Sequence, residues 1–202
     1  MDEFTMISPR PAILTSRLLL RPLEERDITS VYVHWLNDLK VTQTLEVRHA
    51  AQTHESVVSY VLQRNRNSES GRHFGIFDRD GERHVGTVTL NGFNSTYMTA
   101  DISFVIGHPE AQGLGYATEA VSSVCFYAFE AMKLHKLTGG HYVSNTGSFR
   151  VFQKNGFKLE GLRREQVVNI AGEREDVLLH GLLAREFCEQ NHHSSMIPKI
   201  FP

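Results

Sequence analysis

Seven residues, Gln112-Gly113-Leu114-Gly115-Tyr116-Ala117-Thr118, combine the types and spacing needed to hold a phosphate. They follow a strand-like run from Asp101 to Ile106 and the break Gly107-His108-Pro109, and they open into the most regular amphipathic stretch of the chain. A glycine-containing loop can present unpaired backbone N–H groups, and a helix N-terminus adds roughly half a positive charge. Gly113 and Gly115 permit backbone angles and a close approach that a Cβ would obstruct. Two familiar phosphate motifs are excluded. The dinucleotide fingerprint requires Gly or Ala where Thr118 stands, and the chain has no Gly-Lys-Ser/Thr for a nucleotide loop. By itself, the Gly-x-Gly fits a plain strand-to-helix turn as well as a phosphate loop.

The elements that must position this loop can be read from periodicity. After it, Ala117, Ala120, Val121, Val124, Cys125, Ala128, Phe129 and Met132 fall on one face of a helix. Upstream, residues 1–12 read as an irregular lead-in and Arg17–Arg21 as a buried strand stopped by Pro22. Asp27 reads as the N-cap of a helix through Val31 and Trp35, ended at Asn37-Asp38. Thr42–His49 reads as a loop. Thr53 caps a second helix carrying Val57, Val58, Val61 and Leu62, with a polar loop from Asn65 to Gly71. Phe74–Phe77 and Val85–Leu90 form a hairpin around Asp78–Gly81, and Asn91–Thr99 connects it to a third antiparallel strand at Ile102–Ile106. Leu137–Val143 reads as a parallel strand after the helix, and Thr146–Lys154 as a short helix closed by Asn155-Gly156. A final hairpin joins Val167–Ile170 to Val177–Leu183, with Arg164 and Asp176 as a tie. The tail beyond Cys188 has no pattern.

The 202 residues, 41% hydrophobic and 22% charged, suit one globular domain. A net charge of −2 gives no electrostatic footprint for nucleic acid. No apolar run approaches the roughly 20 residues needed to span a bilayer, and the N-terminus lacks a signal-peptide pattern, so a cytoplasmic location is expected. Cys125 and Cys188 are too few for a disulfide framework, and Cys125 lies on the helical apolar face. Eleven histidines are scattered without a metal-ligand set, and His192-His193 reads as an exposed pair.

With these residues in place, the chain resembles the GNAT acetyltransferase superfamily, whose pyrophosphate loop Gln/Arg-x-x-Gly-x-Gly/Ala is matched by Gln112, Gly115 and Ala117. Within it, the chain looks closest to the RimJ/RimL-like branch, through Thr15–Pro22, Gly115–Ala120, Asn145–Ser148 and Phe152–Phe157, with Glu160-Gly161 following. The resemblance runs from Arg17 to about Phe187. It implies an α/β (α+β) fold with a mixed, largely antiparallel sheet flanked by helices, as one domain over residues 13–187 with extensions at 1–12 and 188–202. It also implies acetyl-CoA as cosubstrate, no metal, and direct transfer of acetyl to a primary amine.

On that resemblance, Gln112, Gly113, Leu114, Gly115, Tyr116, Ala117 and Thr118 hold the pyrophosphate. Val105 and Ile106 line the pantetheine arm, with an N–H near Ile106 stabilising the carbonyl oxygen. Asn145, Ser148 and Phe152 belong to the second cofactor segment. Asp101 stands where several of these enzymes place a catalytic glutamate, so it is the candidate base; a solvated strand-end aspartate is the plain alternative. Phe152 occupies the position of the family's tyrosine proton donor and cannot donate, which leaves Ser148 as the candidate hydroxyl. Glu46 and Arg48 are the acceptor-site candidates, with a surface ion pair as the alternative, and Trp35 reads as core. The favoured acceptor is a small amine such as an amino sugar or nucleotide-linked amino sugar. A protein N-terminal amine and a noncatalytic acetyl-CoA sensor are the other readings, and a homodimer is compatible with the resemblance.

Overall fold

The computed structural model describes residues 11–66, 71–79, 83–191 and 198–201. The strands are β1 (Ala12–Leu14), β2 (Leu18–Pro22), β3 (Gly71–Asp78), β4 (His84–Asn94), β5 (Thr99–Ile106), β6 (Lys136–Tyr142), β7 (Lys158–Val168), β8 (Arg174–Leu183) and β9 (Lys199–Phe201). They form one nine-stranded sheet in the order β7-β8-β6-β5-β4-β3-β2-β1-β9. Every neighbouring pair is antiparallel except β5 and β6, which run parallel. The helices are α1 (Ser30–Asn37), α2 (Leu39–Thr42), α3 (His54–Arg66), α4 (Tyr116–Phe126), α5 (Thr146–Lys154) and α6 (Ala184–Asn191). The mixed, largely antiparallel architecture expected from the sequence is the one observed.

Alternation along the strands divides the core between two faces. On one, Leu18, Leu20, Phe74, Ile76, Val88, Leu90, Ile102 and Leu137 meet Ala120, Val121, Val124 and Cys125 of α4 and Phe152 of α5. On the other, Leu23 and Phe77 meet Tyr32 and Trp35 of α1 and Val57 and Val61 of α3. The apolar stripe read from Ala117 onward is therefore the face α4 buries. A π-turn over Tyr127–Ala131 extends it, so Ala128 and Phe129 stay in the core.

Several boundaries differ from expectation for local reasons. Thr29, not Asp27, caps α1: its side chain accepts from the Tyr32 N–H, while Asp27 is taken by Arg21 at 2.6 and 2.8 Å and by the Glu24 amide at 2.7 Å. The Thr42–His49 loop contains the end of α2 and a 3-10 turn at Glu46–His49. Strand β4 continues to Asn94 through an irregularity after Asn91. Strand β7 starts at Lys158 rather than Val167, because it is exposed over most of its length and twice bulged, which erases the alternation a half-buried strand would show. Asp176 does not reach Arg164; it accepts from the Glu165 N–H at 2.7 Å, where Glu165 adopts a φ of 50°. The tail beyond Cys188 supplies the end of α6 and β9, and Lys199–Phe201 pairs with β1 at the sheet edge. Parts of the expected Asn65–Gly71 loop and Asp78–Gly81 turn, the lead-in up to Arg10, and His192-His193 lie outside the described residues.

One contact fixes the end of β5. Gly107 is buried against Trp35, and a Cβ there would run into the indole ring. Gly107→Ala should cost about 1–3 kcal/mol in chemical denaturation, as overpacking does elsewhere; an unchanged midpoint would show that the indole yields freely.

Candidate active site

Beyond β5 the chain turns on Gly107 and His108, whose amides both donate to the Val85 carbonyl at 3.0 and 3.1 Å. A 3-10 turn at Pro109–Ala111 then leads to the loop. Gly113 and Gly115 adopt φ values of 78° and 81°, and Gly115 is the left-handed N-cap of α4. Ala111 and Gln112 still donate within the turn, and backbone bonding resumes with Glu119 to Gly115 at 3.1 Å. Between them, the amides of Gly113 to Thr118 have no backbone acceptor, and residues 112–115 are exposed. A Cβ at Gly113 would meet nothing within 4 Å, so these glycines serve backbone direction. Unpaired amides at the positive end of an eleven-residue helix fit a pyrophosphate, and this is where acetyl-CoA would be held.

A carboxylate that sequence reasoning did not single out sets the loop. Glu119, in the first turn of α4, accepts at Oε1 from Thr15 Oγ1 at 2.6 Å, Ser16 Oγ at 3.2 Å and the Arg17 amide at 3.1 Å. Its Oε2 accepts from Arg17 Nε at 2.7 Å. Arg17 also donates to the Leu114 carbonyl at 2.9 Å and lies over the Tyr116 ring. Burial alone raises the Glu119 carboxyl, but the bonds from Thr15 and Arg17 and the Arg17 charge outweigh it and hold the group below the usual glutamate range. The only sequence signal was that both segments, Thr15–Pro22 and Gly115–Ala120, carry the family resemblance.

Next to the loop the sheet opens. β5 and β6 pair only from Thr99–Asp101 to Lys136–Thr138 and then part. The antiparallel alternation, fixed by Gly107 bonding Val85, turns the peptide groups of Phe104 and Ile106 away from β4 and toward this gap. Gln112 Nε2 donates to the Ile106 carbonyl at 3.1 Å, joining the loop to the mouth of the gap. Val105 instead directs its peptide group to β4 and its side chain to the α1–α3 face. Asn145 caps α5, accepting from the Ser148 amide at 2.9 Å, and donates to Thr44 Oγ1 at 2.8 Å, so in this state its side chain is engaged within the protein. Ser148 lies one helical turn before Phe152, on the same side of α5. Phe152 is 1% exposed and packs edge-on against Phe104 and Phe157; it shapes the gap from inside the core and has no open face to offer a cofactor.

The α1–α3 face of the gap carries polar side chains. Asp101 stands solvent-accessible at its closed end, its Oδ2 accepting from Thr138 Oγ1 at 3.2 Å. The surrounding protein pushes the Asp101 carboxyl up, against the opposing effects of Thr138 and the Arg163 charge. At the open end, the Tyr142 hydroxyl donates to Glu46 Oε1 at 2.9 Å and accepts from Arg48 Nη1 at 3.0 Å. Arg48 Nη2 donates to the Val168 carbonyl at 2.6 Å. Arg48 thus ties the segment before α3 to the β7–β8 ribbon, whereas the Glu46 side chain remains 75% exposed with Oε2 facing His49. Trp35 is core, 4% exposed. Cys125 is fully buried, and that burial raises its thiol, the opposite of what a nucleophile needs. Among the described residues, no three His, Cys, Asp or Glu are grouped to hold a metal.

The sign of the Glu119 shift yields a test. A carboxyl held below its unfolded value adds stability that is complete above the ordinary glutamate pKa of about 4.5 and fades as pH falls through the folded value. Glu119→Gln should therefore lower Tm at neutral pH, and the difference from the wild type should shrink as the pH falls below the ordinary glutamate range. A difference that persists unchanged into acid would exclude the charge as its source.

Comparison with known proteins agrees with this geometry. The family profile described as an acetyltransferase (GNAT) domain matches residues 17–158. The probable N-acetyltransferase YjcK of Bacillus subtilis is 41% identical over 113 residues, covering 55% of this chain and 60% of that protein. The spermidine N(1)-acetyltransferase of Escherichia coli is 31% identical over 153 residues, covering 74% of this chain and 78% of that protein. Among solved structures, a GNAT-family acetyltransferase from Bacillus anthracis superposes with a TM-score of 0.74 at 25% identity, over 87% of this chain and 99% of the other. The spermidine N-acetyltransferase of Vibrio cholerae, in complex with CoA and spermine, gives a TM-score of 0.75 at 23% identity, over 85% and 98%, and shows the shared fold. The exposed amides at the head of α4, the gap between β5 and β6 and the matched profile converge: the chain belongs to the GNAT family of acetyl-CoA-dependent N-acetyltransferases.

Proposed function

We propose that the acceptor of this acetyltransferase is a small molecule bearing a primary amine, with amino sugars and nucleotide-linked amino sugars the favoured class. The observation that carries this reading is the polar lining of one face of the gap. Two carboxylates, Asp101 and Glu46, stand at opposite ends of one face of the gap, and the Thr44–Arg48 segment is sewn across its open end to Asn145, Tyr142 and Val168. A site bridged in this way suits a compact or slender acceptor better than a folded protein surface. The similarity to spermidine acetyltransferases also supports a small-molecule amine.

Acetyl-CoA supplies the activated acetyl thioester, and this chain supplies position and proton handling. Gly113 to Thr118 hold the pyrophosphate end, and the gap-side peptide groups of Phe104 and Ile106 pair with the amide-bearing arm. The Ile106 N–H, turned into the gap, donates to the carbonyl oxygen as negative charge develops there. Attack requires a neutral amine, and Asp101, five residues or about 16 Å of strand from Ile106, takes its proton through a chain of waters. The Ser148 hydroxyl serves the departing sulfur. Buried Cys125 takes no part.

Incubation with acetyl-CoA and panels of amino sugars, polyamines, simple amines and peptides, with mass detection, should give acetylated small amines. Turnover of peptides alone would overturn this reading, and tight CoA binding without any turnover would make the protein a sensor. Asp101→Asn should lower turnover about a hundredfold and remove an acidic limb of the pH profile lying above the ordinary aspartate pKa of about 3.9. Ser148→Ala should slow the chemical step; a loss confined to CoA affinity would refute the acid role.

A further inference from the structure

A line of polar side chains crosses the sheet beside Asp101 and runs from α3 over β4 to β5. Arg64, in the last turns of α3, stacks on the Tyr60 ring, donates through Nε to the Tyr60 hydroxyl at 3.2 Å, and donates through Nη2 to Asn91 Oδ1. Asn91 in turn donates from Nδ2 to Ser103 Oγ at 3.0 Å. Asn91 lies opposite Asp101 in the β4–β5 register, and Ser103 is two residues further along β5, so all three share one face of the sheet.

The directions in this line are fixed by chemistry. A guanidinium has only donors, so the Asn91 oxygen must face Arg64 and its NH₂ must face Ser103. Ser103 Oγ is thereby an acceptor toward Asn91, and its own proton points elsewhere. Ser103 is exposed, and it makes no other side-chain hydrogen bond among the described residues. The result is a hydroxyl with its donor free on the exposed side of β5, about 7 Å along the strand from Asp101. Ser103 also lies three residues, about 10 Å of strand, from Ile106, so an amine facing a carbonyl held at Ile106 and an oxygen on the neighbouring carbon of the same molecule span that interval once the oxygen makes a hydrogen bond of about 2.9 Å to Ser103.

We infer that Ser103, oriented by Arg64 through Asn91, is a specificity-determining donor that reads an oxygen atom adjacent to the acceptor's amine, so that the site selects amino sugars and amino alcohols over plain amines and polyamines. This rests on the proposed reading of the Asp101 face as the acceptor site. The charge balance agrees with it: Arg64 has no carboxylate within ion-pair distance among the described residues, and a guanidinium beside the site disfavours a second ammonium nearby.

The test uses matched acceptors: glucosamine against cyclohexylamine, ethanolamine against propylamine, and spermidine as an amine without oxygen. Turnover gives kcat/KM, and calorimetric binding to the CoA complex measures the same preference where turnover is absent. The wild type should prefer the oxygen-bearing members by tenfold or more. Ser103→Ala should cost about tenfold on those members, the value of one hydrogen bond, while plain amines stay within about twofold. Ser103→Thr, which keeps the hydroxyl, should restore the preference. An equal loss on both members of a pair would place Ser103 in proton handling and overturn the inference, as would no loss on either or a wild-type preference for spermidine. If only peptides are acetylated, the small-molecule reading fails, and the inference is then judged on Ser-initiated against Ala-initiated peptides. The same preference, lost in Ser103→Ala, would uphold it there, and its absence would overturn it.

Discussion

The peptide groups on one side of β5 are the constraint around which the site is built. A backbone N–H or C=O taken out of water must find a partner, and in this sheet β5 is satisfied along β4 but deserted by β6 after Asp101. The desertion is maintained by bulk: the Phe152 ring lies where a Cβ on Gly139 would have to be, and it meets Phe104 from the other strand. A gap with unpaired amides on a fixed edge is half of a β-ladder. It calls for a ligand that carries its own amides at strand-like spacing, and the pantetheine arm of CoA is such a molecule.

Affinity for the charged end of that ligand depends on how much of the loop's order is present beforehand. Glu119 and Arg17 supply it from opposite directions. The glutamate gathers the β1–β2 turn to the head of α4, and the arginine reaches back to the Leu114 carbonyl within the loop. An acidic residue in the first turn also complements the helix dipole, which an isolated anion-binding helix would leave to its ligand. Because Glu119 is already consumed by Arg17, it does not compete with a phosphate for the loop amides.

What the sequence revealed was whatever local periodicity or turn chemistry dictates. The α4 stripe, the β3–β4 hairpin, the third antiparallel strand and the Asn155-Gly156 end of α5 all follow from residues within one or two turns of each other. The features it hid depend on distant partners. Glu119 meets Thr15 and Arg17 across about half the chain, and β9 exists only because β1 offers an edge. His141 and His180 are brought together by the β6–β8 register. The Tyr142 carbonyl fixes the His141 tautomer, so His141 Nε2 accepts from His180 at 3.1 Å, with both rings buried beside Phe152. β7 was half-legible because an exposed, bulged edge strand has no inward face to impose alternation. The candidate site divides in the same way: the loop and the end of β5 were readable, whereas the Tyr142 link between Glu46 and Arg48 required the folded chain.

A phenylalanine at position 152, where the family resemblance leads one to expect a tyrosine, becomes intelligible once the two proton transfers are weighed. A lysine-like amine with a pKa of about 10.4 must lose its proton against a gradient of more than three units at neutral pH, about 5 kcal/mol, whereas a thiolate with a thiol pKa of about 8.5 departs against only about 2 kcal/mol. The base is therefore the more demanding side, and a missing acid is the smaller loss. The demand on the base falls further if the acceptor carries an electron-withdrawing oxygen beside its nitrogen. An α-amino group next to a carbonyl, with a pKa of about 7.7 to 8.0, shows the size of that effect. On the proposed reading, an acceptor chosen through Ser103 is also an amine that an aspartate can more readily deprotonate. On that reading, selection of the acceptor and the weakness of the proton-handling groups go together on the same strand face.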